Sequence, residues 1–205
     1  MRDLHTEELQ QATRGGRKYG GRALRVRLSA LAAAMLCVGA VAAHAEETQC
    51  TGTIGAVRLD NVFVPDGRAC TLNRTRLNGN IVVGRGAQLT AQGVSVNGSV
   101  QAEGAASVAL LNFSTVGGSV QIVQGRAATI DRARINGDLY FDSNDGRIDA
   151  TANQVGGNLQ AFQNEGGVRL VNNRIKGNLQ CKENVPAPTG SGNQASSKED
   201  QCERL

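Results

Sequence analysis

The residues best suited to chemistry in this 205-residue chain are carboxylates that fall close together: Asp138, Asp142, Asp145 and Asp149, with Glu165 a little further on. Two carboxyl groups flanking a sugar linkage can cleave it, one as acid and the other as base or nucleophile, and carboxylate oxygens can hold calcium. The stretch "DSNDG" at 142–146 lacks the Asp-x-Asp-x-Asp-Gly order of a calcium loop. By composition it is a turn. No other catalytic set competes. The only histidines, His5 and His44, lie near the N-terminus, so the rest of the chain has no His-based triad and few means of building a metal centre. The enzymatic reading is therefore a small polysaccharide lyase or hydrolase using Asp138, Asp142 and Asp145, with no cofactor and no metal.

The N-terminal segment is of a different kind. Residues 1–27 hold seven Lys/Arg and three acids, "LSALAAAMLCVGAVA" is apolar from Leu28 to Ala42, and "AHA" follows at Ala43–Ala45. Basic, then apolar, then small is the layout of a secretory signal peptide, here 1–45 with cleavage near Ala45. The apolar run is short of the roughly 20 residues of a membrane-spanning helix. Cys37 is a poor lipidation site, because Leu36 precedes it where a small residue belongs. The expected location is secreted, periplasmic or cell-envelope, with no membrane span in the mature chain. Without 1–45, 15 of the 22 Lys/Arg and 15 of the 18 Asp/Glu remain. The mature net charge is zero and no basic run with interleaved aromatics appears, so no nucleic-acid partner is expected.

The mature chain keeps Cys50, Cys70, Cys181 and Cys202. Spacings of 20, 111 and 21 do not suit a zinc site, which needs close pairs. An even count after export implies two disulfides in an oxidising compartment. Of the three connectivities, the positions favour pairing within each end, since two cysteines open the mature chain and two close it.

The elements that position all these residues are announced by a recurring phrase: "RLNGNIVV", "SVNGSVQA", "TVGGSVQI", "RINGDLYF", "QVGGNLQA" and "RIKGNLQC". Alone, Asn-Gly between alternating residues signals a hairpin. The marker glycines Gly79, Gly98, Gly118, Gly137, Gly157 and Gly177 instead recur every 19 or 20 residues, which is the signature of a solenoid. Two residues before each stand Leu77, Val96, Val116, Ile135, Val155 and Ile175. Two after stand Ile81, Val100, Val120, Leu139, Leu159 and Leu179, and four after stand Val83, Ala102, Ile122, Phe141, Ala161 and Cys181. Between the last two columns runs Val82, Gln101, Gln121, Tyr140, Gln160, Gln180. This is period-2 alternation copied in register. A second strand has inward pairs Ala87/Leu89, Val108/Leu110, Ala128/Ile130, Ile148/Ala150 and Val168/Leu170, and a weaker third segment leads to the next marker. Three strands per turn describe an all-β parallel β-helix. Gly is needed where the backbone bends or packs closely, and the polar residue after it can hydrogen-bond its own backbone at the bend.

The phrases "VGGNLQAF" and "IKGNLQCK", and the pattern from about Asp60 to Cys181, resemble the secreted bacterial right-handed parallel β-helix repeat proteins, many of unknown function. The resemblance implies an architecture shared with pectate-lyase-like enzymes and surface adhesins, and it carries no catalytic motif. It predicts a single-stranded right-handed β-helix over 46–184, with about 20 residues per coil and six to seven coils. The first coil fits with about two extra residues and with Asp60 in the marker position. Cys50–Cys70 and Cys181–Cys202 each lie about one coil apart, within disulfide reach on adjacent coils, and read as staples of the ends. The segment 185–205, rich in Pro, Gly and Ser, reads as a loop tied back by Cys202.

Coil length varies by only one residue, so no long loops are left to build a cleft, and active sites favour loops. The leading functional expectation is accordingly a non-enzymatic secreted module, adhesin-like or structural, binding a polysaccharide or cell-surface partner through the outward column Gln101, Gln121, Tyr140, Gln160 and Gln180. A self-assembling envelope scaffold is the further alternative, and the oligomeric state is open.

Overall fold

The computed structural model describes residues 46–205. The leader, with its two histidines and Cys37, lies outside the described residues. Within them the chain is all-β, without a helix, in short strands that form three parallel sheets. Sheet A has nine strands, from Glu47–Gln49 to Lys198–Asp200. Sheet B has eight, from Thr53–Ile54 to Thr189–Ser191, and sheet C has seven, from Arg58–Leu59 to Arg174–Ile175. The chain visits A, B and C in turn and then starts the next coil, giving a β-solenoid of about eight turns of about 19 residues. That exceeds the expected six to seven coils because the terminal turns do not spell the phrase. Asp60 and Ser196 occupy the marker position at the two ends: Gly79 N donates to Asp60 O (2.7 Å) and Ser196 N to Gly177 O (2.9 Å).

The inward columns form the core. Leu139 pairs with Leu159 and Leu159 with Leu179, all fully buried, and Phe141 is among the largest fully buried side chains. Stacked Val, Ile and Leu suit this pleated, enclosed surface. Two registers differ from the sequence pattern. Leu89 pairs with Val108 and Ala91 with Leu110, so the inward pair of that coil is Leu89/Ala91, while Ala87 lies ahead of its strand. The first coil needs no extra residues, because Val62 pairs with Ile81 and Cys70 with Leu89, each 19 positions on.

The corners are built by two different means. None of the marker glycines has a positive φ, which removes the type I′ hairpin. They are glycine because coils stack too closely for a Cβ: one on Gly98 would lie 2.7 Å from Gly79 O. The following polar residue bonds across coils rather than to its own backbone. Asn80 N donates to Asn61 Oδ1 (2.8 Å), Ser99 N to Asn80 Oδ1 (2.8 Å) and Asn158 N to Asp138 Oδ1 (2.7 Å). At the other two corners the chain turns through left-handed residues that are mostly not glycine. Arg74, Asn112, Arg132, Ala152 and Asn172 turn it between B and C, and Gln124, Ser143, Gln163 and Glu183 between A and B.

Both expected disulfides are present, Cys50–Cys70 and Cys181–Cys202, with Cα separations of 5.5 and 5.2 Å. They do not join equivalent rungs. Cys50 follows a sheet A strand whereas Cys70 faces inward from sheet B, and all four cysteines are buried. The bridges therefore close the core at its ends from inside. The segment 185–205 is no simple loop: Thr189–Ser191 pairs with sheet B, Gln194 bridges Arg174, and Lys198–Asp200 pairs with Leu179–Cys181. It completes the last turn.

Candidate functional site

The predicted carboxylates are strung along one coil and do not converge. Asp138 sits at the C-to-A corner, engaged by Asn158 N. Asp142 ends the strand Leu139–Asp142 and accepts from Ser143 Oγ (3.2 Å). Four residues of extended strand separate them, roughly 13 Å along the chain, beyond the spacing of an acid pair on one sugar linkage. Asp145 lies past the next corner, exposed, 3.7 Å from Arg126. Asp149 is on sheet B between Arg147 (2.7 Å) and Arg169 (3.6 Å). Asp145, Glu165 and Glu183 do line one shallow groove, without Asp138 or Asp142. Among the described residues no group of three His, Cys, Asp or Glu is placed to hold a metal ion.

The outward column of sheet A is in register: Gln101 pairs with Gln121, Gln121 with Tyr140, Tyr140 with Gln160, and Gln160 with Gln180. Its two ends differ in chemistry. Above Tyr140 the amides form a ladder, with Gln160 Nε2 donating to Gln180 Oε1 (2.7 Å) and Gln180 Nε2 to Glu199 Oε2 (2.7 Å). The hydrogen bonds from Ser197 and Gln180 hold the Glu199 carboxyl below its ordinary pKa. Below Tyr140, Gln101 and Gln121 are exposed and line an open groove with Val82 and the ion pair of Arg85 and Glu103 (3.9 Å). Tyr140 packs edge-on against Phe162 at 5.9 Å. Burial first, and the Asp142 charge second, raise its phenol pKa.

Two interior asparagine ladders went unrecognised in the sequence. Asn144, Asn164 and Asn184 stack at the A–B corner; Asn153, Asn173 and Asn193 stack at the B–C corner, and all six are buried. Beyond the first rung, whose Oδ1 takes a backbone N–H (Gly125 N on Asn144, Ala133 N on Asn153), each Oδ1 accepts two bonds from the preceding Asn: Asn164 Oδ1 takes Asn144 N (3.1 Å) and Nδ2 (2.9 Å), and Asn173 Oδ1 takes Asn153 N and Nδ2 (both 3.0 Å). Each Nδ2 also donates to a carbonyl one coil back, as Asn173 Nδ2 does to Ala150 O (2.8 Å). Gln201 caps the first ladder, its Oε1 accepting from Asn184 N (2.9 Å). No buried side-chain nitrogen or oxygen among the described residues lacks a partner. These ladders hold corners and offer nothing to a ligand.

Sheet C carries the third outward column, in register from Arg58 and Arg76 through Ser95, Thr115, Arg134 and Gln154 to Arg174. Its upper part is a groove lined by Arg134, Gln154, Arg174, Lys176 and Gln194, over the buried core residues Ile135, Val155 and Ile175.

The two disulfides fit an extracellular or periplasmic setting, and no helix among the described residues is long and apolar enough to cross a membrane. Compared with known proteins, the chain matches no family model, no curated protein and no solved structure.

Proposed function

We propose that this chain is an exported, non-enzymatic β-solenoid that serves as a rigid surface-binding module, adhesin-like in action, with a polysaccharide as its partner. The observation that carries the reading is the absence of any long loop from the coils between Gly79 and Gly177: the outward side chains of sheet A stand in one in-register column, and the carboxylates that could cleave a sugar linkage are spread along a coil. A flat face of amides, hydroxyls and a single ring can match a polymer that repeats at short intervals. It cannot enclose one bond, as a cleaving enzyme does. The disulfides and the signal-like leader support export.

The test is a glycan-array screen with the purified protein. Retention of one polymer class without depolymerisation is the expected result, and shortening of the polymer would point instead to an enzyme. Loss of binding in Tyr140→Ala would place the contact on sheet A.

A further inference from the structure

Residues 46–205 carry no net charge, but the outward column of sheet C contains arginines and no carboxylate. The outward column of sheet C and its rim hold Arg58, Arg76, Arg134, Arg174 and Lys176, and none of these forms an ion pair within 4.0 Å among the described residues. Ion pairs are instead made by Arg85, Arg126, Arg132, Arg147, Arg169 and Lys182, chiefly on sheet B and its corners. The groove on sheet C has three cations among its lining residues and no carboxylate. Unpaired arginines whose Cα atoms a sheet spaces regularly can take carboxylates in the bidentate geometry that the guanidinium favours.

A ring stands at the edge of the same face. Phe113 is 72% exposed, which is unusual for so large an apolar side chain in this molecule. It is an extra residue: Asn112 and Phe113 both have positive φ at a corner where the other coils use a single left-handed residue. The Arg132 guanidinium lies 5.4 Å from the ring centroid and holds the ring against the corner. Phe113 lines a small groove with Thr115, Arg134 and Gln154, and Arg134 and Gln154 also line the larger one, so the two are continuous.

Spacing selects the occupant. Arg134, Gln154 and Arg174 sit on successive coils, so the two arginines are roughly 9.5 Å apart with an amide between them. A sugar ring in an extended chain is about as long as one coil is tall. We infer that sheet C binds a linear polysaccharide in which carboxylated and neutral sugars alternate, with carboxylates on Arg134 and Arg174, hydroxyls on Gln154 and a sugar face on Phe113. Nucleic acid fits less well. Single strands need a series of stacking rings, and duplex phosphates, one charge per 1.7 Å or so, need a denser array of cations. This inference rests on the binding-module reading above and names its face and ligand class.

The probe is hyaluronan, whose uronate and N-acetylglucosamine residues alternate, tested by calorimetry against a neutral N-acetylglucosamine oligomer, oligo-dT and anionic vesicles. The double variant Arg134→Gln/Arg174→Gln places at both positions the residue that Gln154 already places in the column, so the fold is kept, as circular dichroism will check. Hyaluronan is expected to bind in a salt-sensitive manner, and the double variant to weaken it by tenfold or more. Phe113→Ala should weaken it several-fold. Equal binding of the neutral oligomer, undiminished binding by the double variant, or binding of oligo-dT or vesicles alone would overturn the inference. If the neutral oligomer binds and Tyr140→Ala abolishes it, the inference fails while the binding-module reading stands. If no glycan binds, the polysaccharide reading fails with it.

Discussion

The first and last coils share one backbone but close their corners with different chemistry. In the early coils the B–C corner is filled by Thr75, Val94 and Ser114. Thr75 Oγ1 donates to Gly55 O (2.8 Å), and Ser114 Oγ donates to Leu111 O (2.7 Å) and accepts from Val94 N (3.2 Å), so each hydroxyl is satisfied by backbone groups, without a like side chain above or below. From Asn153 onward the same corner is a continuous amide ladder, and from Asn144 the A–B corner is another. The fold thus does not require asparagine at a corner. It requires that whatever is buried there be satisfied, and a ladder does this by making each rung depend on its neighbours.

That contrast can be broken at its strongest point. Asn173→Ala strips the acceptor from Asn153 N and Nδ2 and the donor from Ala150 O. Leaving these buried groups unpaired should cost roughly 3–5 kcal/mol in denaturant unfolding. Ser114→Ala should cost less, about 1–2 kcal/mol, since it leaves one buried backbone group, Val94 N, without its acceptor rather than several. Similar losses at the two sites would erase the distinction between the regions.

The inward and outward columns of the upper coils provide the next comparison. Leu159→Ala removes a fully buried rung and should cost about 2–5 kcal/mol. Gln160→Ala, its neighbour on the outer face, should cost under about 1 kcal/mol despite its bond to Gln180. The smallest effect belongs to Glu199, which ends the outer amide ladder. Its folded pKa is lowered, so its contribution is present above the ordinary carboxylate value and disappears as pH falls through the lowered one. The melting difference between wild type and Glu199→Gln should therefore be visible at neutral pH and vanish in acid.

Much of the fold was legible because a solenoid writes its register into spacing. Leu139, Leu159 and Leu179 could be read as one column from the marker glycines alone, and the paired cysteines at each end followed from coil length. The misread features have physical reasons. Asp60 and Ser196 stand at the marker position of the terminal turns, so the phrase undercounts the coils; at Asp60 the preceding coil, against which a marker Cβ would press, is only begun at Glu46. Ala87 is small and buried, and only the strand pairing shows that it stands outside the sheet B column. Asn153, Asn173 and Asn193 recur every 20 residues, but asparagine beside a corner reads as turn chemistry until its side chain is known to point inward. The outward candidates were visible as positions, whereas the unpaired state of Arg134 and Arg174 was hidden by the zero net charge of residues 46–205. Phe113 was hidden for another reason: one extra residue at a corner leaves the period almost unchanged.

The order in which the chain visits the sheets also fixes where things lie along the rod. Because every coil adds one strand to each sheet and none returns, Glu46 and Leu205 belong to opposite ends, about 35–40 Å apart for eight coils. A tether at either terminus would therefore present the rod end-on, with all three faces clear of the anchor. In-frame duplication of one coil, such as 157–176, would lengthen every face by one rung and alter none of them. Reach and recognition are thus set separately in this architecture, the first by how many coils there are and the second by what each outward position carries.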